Sequence, residues 1–86
     1  MEICFMVEMR QEDTPHSIGK AATLKVAARI RELRLQKNLS QTELANRIQS
    51  DRQYLYKIET GKVGISVAKL AVIAWALEVE INELFL

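Results

Sequence analysis

The chain has 86 residues, 49% of them apolar, with three Gly, one Pro and a formal net charge of +1. This describes one small domain near the lower size at which a single core suffices, so oligomerisation would help it. A single cysteine, Cys4, and a single histidine, His16, exclude an internal disulfide and a self-contained Cys/His zinc site, and no run approaches the roughly 18 consecutive apolar residues of a membrane span.

Ile3, Phe5, Val7 and Met9 alternate with Glu2, Cys4, Met6, Glu8 and Arg10, a period-two pattern that predicts a half-buried strand. No second strand is predicted, so this segment either stays disordered or pairs with a strand of another molecule. Glu2 and Glu8 also stand where a signal peptide needs a basic start and a long apolar run, which places the protein in the cytoplasm. Gln11 to Gly19 is polar, contains Thr14-Pro15 and reads as a linker, dividing the chain into an N-terminal extension, 1–20, and a helical domain, 21–86.

The first helix is predicted from near Thr23 to Lys37, with Val26, Ile30 and Leu33 facing inward and Asn38 as its C-terminal cap. Ser40 caps a second helix, Glu43 completes a capping box, and Leu44, Ala45 and Ile48 form the buried side. Gln49-Ser50 makes a turn, Asp51 caps a third helix carrying Leu55 and Ile58 inward, and Gly61 suits the left-handed residue that stops it. Ser66 opens a fourth helix to about Leu77, packing Leu70, Ile73, Ala74 and Leu77. A last turn, Asn82 to Leu86, follows, anchored by Leu84 and Phe85.

Charge is distributed unevenly along the chain. Residues 29–62 hold Arg29, Arg31, Arg34, Lys37, Arg47, Arg52, Lys57 and Lys62 against Glu32, Glu43, Asp51 and Glu59, a net +4, whereas 1–28 sum to −1 and 63–86 to −2. The cation excess coincides with two helices too short to be stable alone, the second of which leaves Arg52, Gln53, Tyr56 and Lys57 on the side free of apolar residues. Such a face suits a polyanion and is shaped to enter a DNA groove.

These elements together resemble the phage-repressor or Xre/Cro-type helix-turn-helix family over Ile30 to Phe85, about two-thirds of the chain. The resemblance is carried by Arg29 to Arg34, Leu39-Ser40-Gln41, Glu43-Leu44-Ala45, Lys57-Ile58-Glu59 with Gly61-Lys62, Leu70, Ile73-Ala74, Ala76-Leu77 and Glu83-Leu84-Phe85. It implies an all-α, compact five-helix, lambda-repressor-like domain. It further implies that Arg52 and Gln53 reach base edges in the major groove, with Lys57, one turn beyond Gln53 on the same face, on a base or a phosphate, and Gln41 and Lys62 on phosphates; Tyr56 shares that outward face and is a candidate base contact by position. Arg suits guanine O6/N7 and Gln suits adenine N6/N7, each worth about 1–3 kcal/mol of discrimination. Arg34 and Glu59 resemble a family ion pair tying the first helix to the end of the third.

Five positions depart from the family pattern. Gln49-Ser50 replaces Gly and an apolar residue, so the turn either takes left-handed strain or a different geometry. Tyr54 and Tyr56 replace small or hydroxylated residues. Tyr56 suits stacking on a sugar or meeting a thymine methyl, and Tyr54 suits either packing or the groove. Ile65 stands where the family has Pro. Val72, Trp75 and Leu35 fall on outward positions and need covering, by the strand of Ile3, Phe5 and Val7 either folding back within the chain or arriving from a second copy.

The functional expectation is a homodimeric transcriptional regulator, a repressor, binding double-stranded DNA by occlusion. It has no cofactor, metal or catalytic constellation, since paired carboxylates and a Ser-His arrangement are missing from the motif. The alternative is an antitoxin-type interaction module whose residues 1–10 add a strand to a partner protein.

Overall fold

The computed structural model describes residues 13–86, which form α1 (Pro15–Gln36), α2 (Gln41–Arg47), α3 (Arg52–Glu59), α4 (Val67–Leu77) and a closing 3₁₀ helix, Ile81–Phe85. The described chain is therefore all-helical, five elements in the expected order. The expected strand and the partner contact through residues 1–10 lie outside the described residues.

α1 begins at Pro15 rather than near Thr23, which corrects the linker reading of this stretch. The reason is local. Thr14 Oγ1 accepts from the Ser17 backbone N–H at 3.1 Å while Ser17 Oγ accepts from the Thr14 N–H at 2.9 Å, closing a capping box. Pro15, whose ring lacks an N–H, occupies the first helical position, where that N–H would have no partner anyway. Thr14-Pro15 is thus a helix start. The first half of α1, residues 15–25, contains no buried residue, and burial begins at Val26.

All four α-helices end the same way. Asn38 (φ 58°), Gln49 (φ 56°), Gly61 (φ 73°) and Glu78 (φ 61°) are left-handed. The next residue's N–H bonds five residues back: Leu39 to Arg34 O at 3.1 Å, Ser50 to Ala45 O at 2.8 Å, Lys62 to Lys57 O at 2.9 Å and Val79 to Ala74 O at 3.0 Å. The left-handed residues themselves donate three residues back, which completes a Schellman motif at each end and satisfies carbonyls the helix leaves open. Gln49 therefore resolves the expected choice in favour of the left-handed turn.

The core comprises Ile30, Leu44, Leu55, Ile58, Ile73, Leu77 and Leu84, each under 2% exposed, with Val26, Leu33, Leu39, Ile48 and Leu70 around them. Ala45, 1% exposed, faces this core where α2 meets α3, so a larger side chain there would drive α3 outward. Phe85 and Tyr54 pack on the rim. Arg29 Nε donates to Glu83 O at 2.8 Å and Arg47 Nη1 to Ala76 O at 2.9 Å, fastening α1 to the 3₁₀ helix and α2 to α4.

Arg34 and Glu59 lie inside this packing at 6% and 7% exposure. Arg34 Nε meets Glu59 Oε2 at 2.6 Å and Nη2 meets Oε1 at 3.1 Å, a two-point pair between α1 and the last residue of α3, while Nη1 donates to Leu39 O at 2.7 Å. Removing one partner leaves a buried charge unpaired. Glu59→Ala is expected to destabilise the domain by about 3–5 kcal/mol in urea titration monitored by circular dichroism. An effect under about 1 kcal/mol would mean that water reaches Arg34.

The left-handed residues generate a second expectation. A non-glycine residue there carries roughly 1–2 kcal/mol of strain, while glycine adds about 0.5–1 kcal/mol of unfolded-state entropy. Gln49→Gly and Glu78→Gly should therefore each stabilise by about 0.5–1 kcal/mol. Gly61→Ala should destabilise by more, because a Cβ at Gly61 would also collide with Leu24 Cδ2. Urea midpoints of the three variants check both directions.

Candidate nucleic-acid interface

α2 and α3 are built from short-range signals. Ser40 Oγ accepts from Glu43 N–H at 3.0 Å and Glu43 Oε1 accepts from Ser40 N–H at 2.8 Å. The Ser40 backbone N–H first, then the Ser40 hydroxyl, and to a smaller extent Arg47 hold the Glu43 carboxyl below its ordinary pKa, so the box is made with a carboxylate. Asp51 Oδ1 accepts from Tyr54 N–H at 2.7 Å and starts α3.

At about 100° per residue, Leu55, Ile58 and Glu59 occupy one side of α3, and Arg52, Tyr56, Gln53 and Lys57 a continuous arc of about 140° on the other. The structure follows this division: the first three are buried and the last four exposed, Tyr56 at 43%. Among the described residues no hydrogen bond or ion pair occupies the side chains of Arg52, Gln53 or Lys57. The first turn of α3 thus presents a guanidinium and an amide outward, with an ammonium one turn on. That combination donates to anionic oxygens and to base acceptors.

Two further cations border this arc. Lys62 Nζ lies 5.6 Å from the Tyr56 ring centroid, and Lys69 Nζ lies 5.4 Å from that of Tyr54. Each contact is of the order of 0.5–1 kcal/mol at an exposed site. Tyr54 is half-buried and packs on the core, which selects packing from its two expected roles. Lys69 was not singled out from the sequence, because it sits in the acidic C-terminal third. Its signal was Ser66 three residues earlier: the N-cap fixes Lys69 in the first turn of α4.

Gln41 is placed differently from a free phosphate ligand. Its Nε2 donates to Glu59 Oε1 at 3.1 Å, linking the first residue of α2 to the carboxylate already held by Arg34. A primary amide has two N–H donors, so one is committed and one remains.

The cation excess of residues 29–62 does not all reach this face. Arg29, Arg34 and Arg47 are spent on contacts within the fold. Arg31 lies along the groove between α1 and the 3₁₀ helix, and Lys37 along the groove beside Trp75. Arg52, Lys57 and Lys62 remain at α3, with Lys69 added.

Comparison with known proteins bears on the family and the fold. The Helix-turn-helix family model, HTH_3, matches residues 30–84. Among solved structures, the restriction-modification controller protein C.AhdI from Aeromonas hydrophila is 40% identical, with 76% of this chain and 98% of that chain covered and a TM-score of 0.72. A hypothetical transcription factor, NHTF, from Neisseria is 26% identical over 94% of this chain and 90% of its own, with a TM-score of 0.71. A chain described as FeII HppE in complex with substrate, 22% identical with 37% of its length covered and a TM-score of 0.70, shares the fold alone. No curated protein sequence matches the chain. With more than half its length on the family model and a 40% identical relative matched almost end to end, this chain belongs to the helix-turn-helix family.

Proposed function

We propose that this helix-turn-helix chain is a DNA-binding transcriptional regulator, a repressor that reads the major groove with α3 as a homodimer. The observation that carries the reading is the outward arc of α3. Arg52, Gln53, Tyr56 and Lys57 are exposed there while three neighbouring arginines are consumed by the fold. The matched solved regulators, a restriction-modification controller and a transcription factor, support the same class.

In this reading Arg52 and Gln53 address base edges, guanine and adenine respectively, with Tyr56 and Lys57 beside them. Lys62 and the uncommitted N–H of Gln41 bind phosphates, which supply affinity and salt dependence but not sequence choice. The protein acts in the cytoplasm by occupying an operator, with no chemistry of its own and no cofactor. Among the described residues no helix is long and apolar enough to cross a membrane.

The partner in the dimer is a second copy seated on the Trp75 face. Trp75 is 71% exposed, Val72 39%, and the groove beside Trp75 is lined by both signs of charge, Lys37 and Arg47 with Glu78, Glu80 and Glu83. A two-fold interface needs a surface complementary to itself, and mixed charge around an apolar centre provides one. Two copies would present two α3 helices, which matches a near-palindromic site when they are spaced about 34 Å apart.

Selection of bound duplexes from a random pool at about 0.15 M salt, a near-physiological screening condition, tests the base readout. Arg52→Ala and Gln53→Ala should each relax the preference at one or two positions of the site. A uniform loss across all sequences would reduce both residues to backbone anchors. For the dimer, Trp75→Glu should yield a monomer in sedimentation equilibrium with unchanged helical signal and weaker operator binding. A Trp75→Glu protein that still sediments as a dimer would remove this face from the assembly.

A further inference from the structure

The cationic surface of α3 continues beyond the helix-turn-helix. Lys62, which lies over the Tyr56 ring on the outward arc, also lines a separate groove between the start of α1 and the loop after α3. That groove is formed by His16, Gly19 and Lys20 on one side and by Gly61, Lys62 and Gly64 on the other, and no Asp or Glu lines it among the described residues. We propose that this groove is a second phosphate-binding surface that grips the DNA backbone outside the segment read by α3. The proposal rests on the DNA-binding reading above and adds to it a contact made by α1.

Three observations support it. First, the part of α1 that forms the groove gives the core little: residues 15–25 include no fully buried side chain, and they lean on the rest of the domain only through Leu24 against Gly61 and the partly buried side around Ala22 and Thr23. Yet it is capped with care by Thr14, Pro15 and Ser17. Second, Gly19 lies within a helix, where it is about 1 kcal/mol less favourable than alanine. A Cβ at Gly19 or at Gly64 would meet nothing within 4 Å, so neither glycine is required by packing. Side-chain-free positions opposite one another leave room for another backbone to approach closely. Third, the charge is of one sign and in the right place. Lys20 is exposed, the first turn of α1 holds no acidic residue, and the positive end of the helix dipole lies at the same end of the groove. A phosphodiester entering here would meet Lys20 and Lys62 together, and Lys62 is already adjacent to Tyr56 on the reading face.

The test uses a duplex selected by the wild-type protein, titrated between about 0.05 and 0.2 M salt. Each phosphate contact contributes about 0.9 to the slope of log K against log salt. Lys20→Ala should lower that slope by about 0.9 and weaken binding about fivefold near 0.15 M salt, with base preference unchanged. Lys20→Arg should restore it. Gly19→Gln should raise the Tm, because it removes a helix glycine, and yet weaken binding severalfold by filling the groove. Trimming the flanking base pairs should bring the wild type down to the level of Lys20→Ala and leave Lys20→Ala unaffected. The proposal is overturned if Lys20→Ala keeps the wild-type slope on a duplex that Arg52→Ala reads differently, a result that leaves the reading helix intact. A wild-type protein that enriches no duplex from the pool would overturn the DNA-binding reading itself, and this groove with it.

Discussion

The guanidinium of Arg34 joins three segments at one point: the end of α1, the turn at Leu39 and the end of α3 through Glu59. Gln41 adds the start of α2 by bonding the same carboxylate. Taking both charges out of water costs several kcal/mol per ion, so the pair brings little net stability. What it imposes is position. A displaced α3 would leave a carboxylate or a guanidinium buried without a partner, and among the described residues no buried side-chain polar atom is left in that state. The side that α3 turns outward is therefore fixed by a contact made at its far, buried end.

The same constraint explains how an eight-residue helix can hold a fixed outward face. Alone, a helix of that length is marginal in water. Here both flanks are locked by left-handed residues whose geometry is held by backbone bonds: Gln49 through Ser50 to Ala45 before it, Gly61 through Lys62 to Lys57 after it. Only the second flank needs glycine, because α1 crosses close above it at Leu24. At Gln49 the space is open enough for a side chain, and the turn forms with strain in place of the glycine usual in this family. The angle between α2 and α3 then follows from Ala45, whose small side chain permits the approach and whose carbonyl closes the turn.

Features set within a few residues were readable in the sequence. The apolar stripes of α2 to α4, the Ser40–Glu43 box, the Asp51 cap and the stop at Gly61 all depend on spacings of three or four, and the structure has them. The outward arc of α3 was readable for the same reason. The start of α1 was misread although its signal was equally local, because Thr14-Pro15 serves both as a turn and as a cap followed by the first helical residue. Of the contacts between distant segments, only the Arg34–Glu59 pair was readable, through the family resemblance and not through spacing; the others were not. Gln41 to Glu59, Arg47 to Ala76 and Lys69 over Tyr54 each join residues 15 or more apart, and composition offers no way to pair them.

Charge shows most clearly how the fold and the function share one sequence. A count along the chain puts eight cations in residues 29–62 and suggests a uniformly basic motif. Three of the arginines are instead structural fasteners, each donating to a carboxylate or carbonyl of another segment. Arginine suits that work because its planar fork makes several directed bonds at once and stays charged when buried. The lysines at Lys57 and Lys62 remain at the surface, where a compact, hydrated ammonium on a flexible stem loses little by waiting for an anion. Meanwhile Glu78, Glu80 and Glu83 gather at the groove beside Trp75 and not around α3. A net charge of +1 thus conceals a molecule whose surface potential differs between its faces. In the proposed reading, such a distribution would turn the α3 face toward a polyanion before any contact forms.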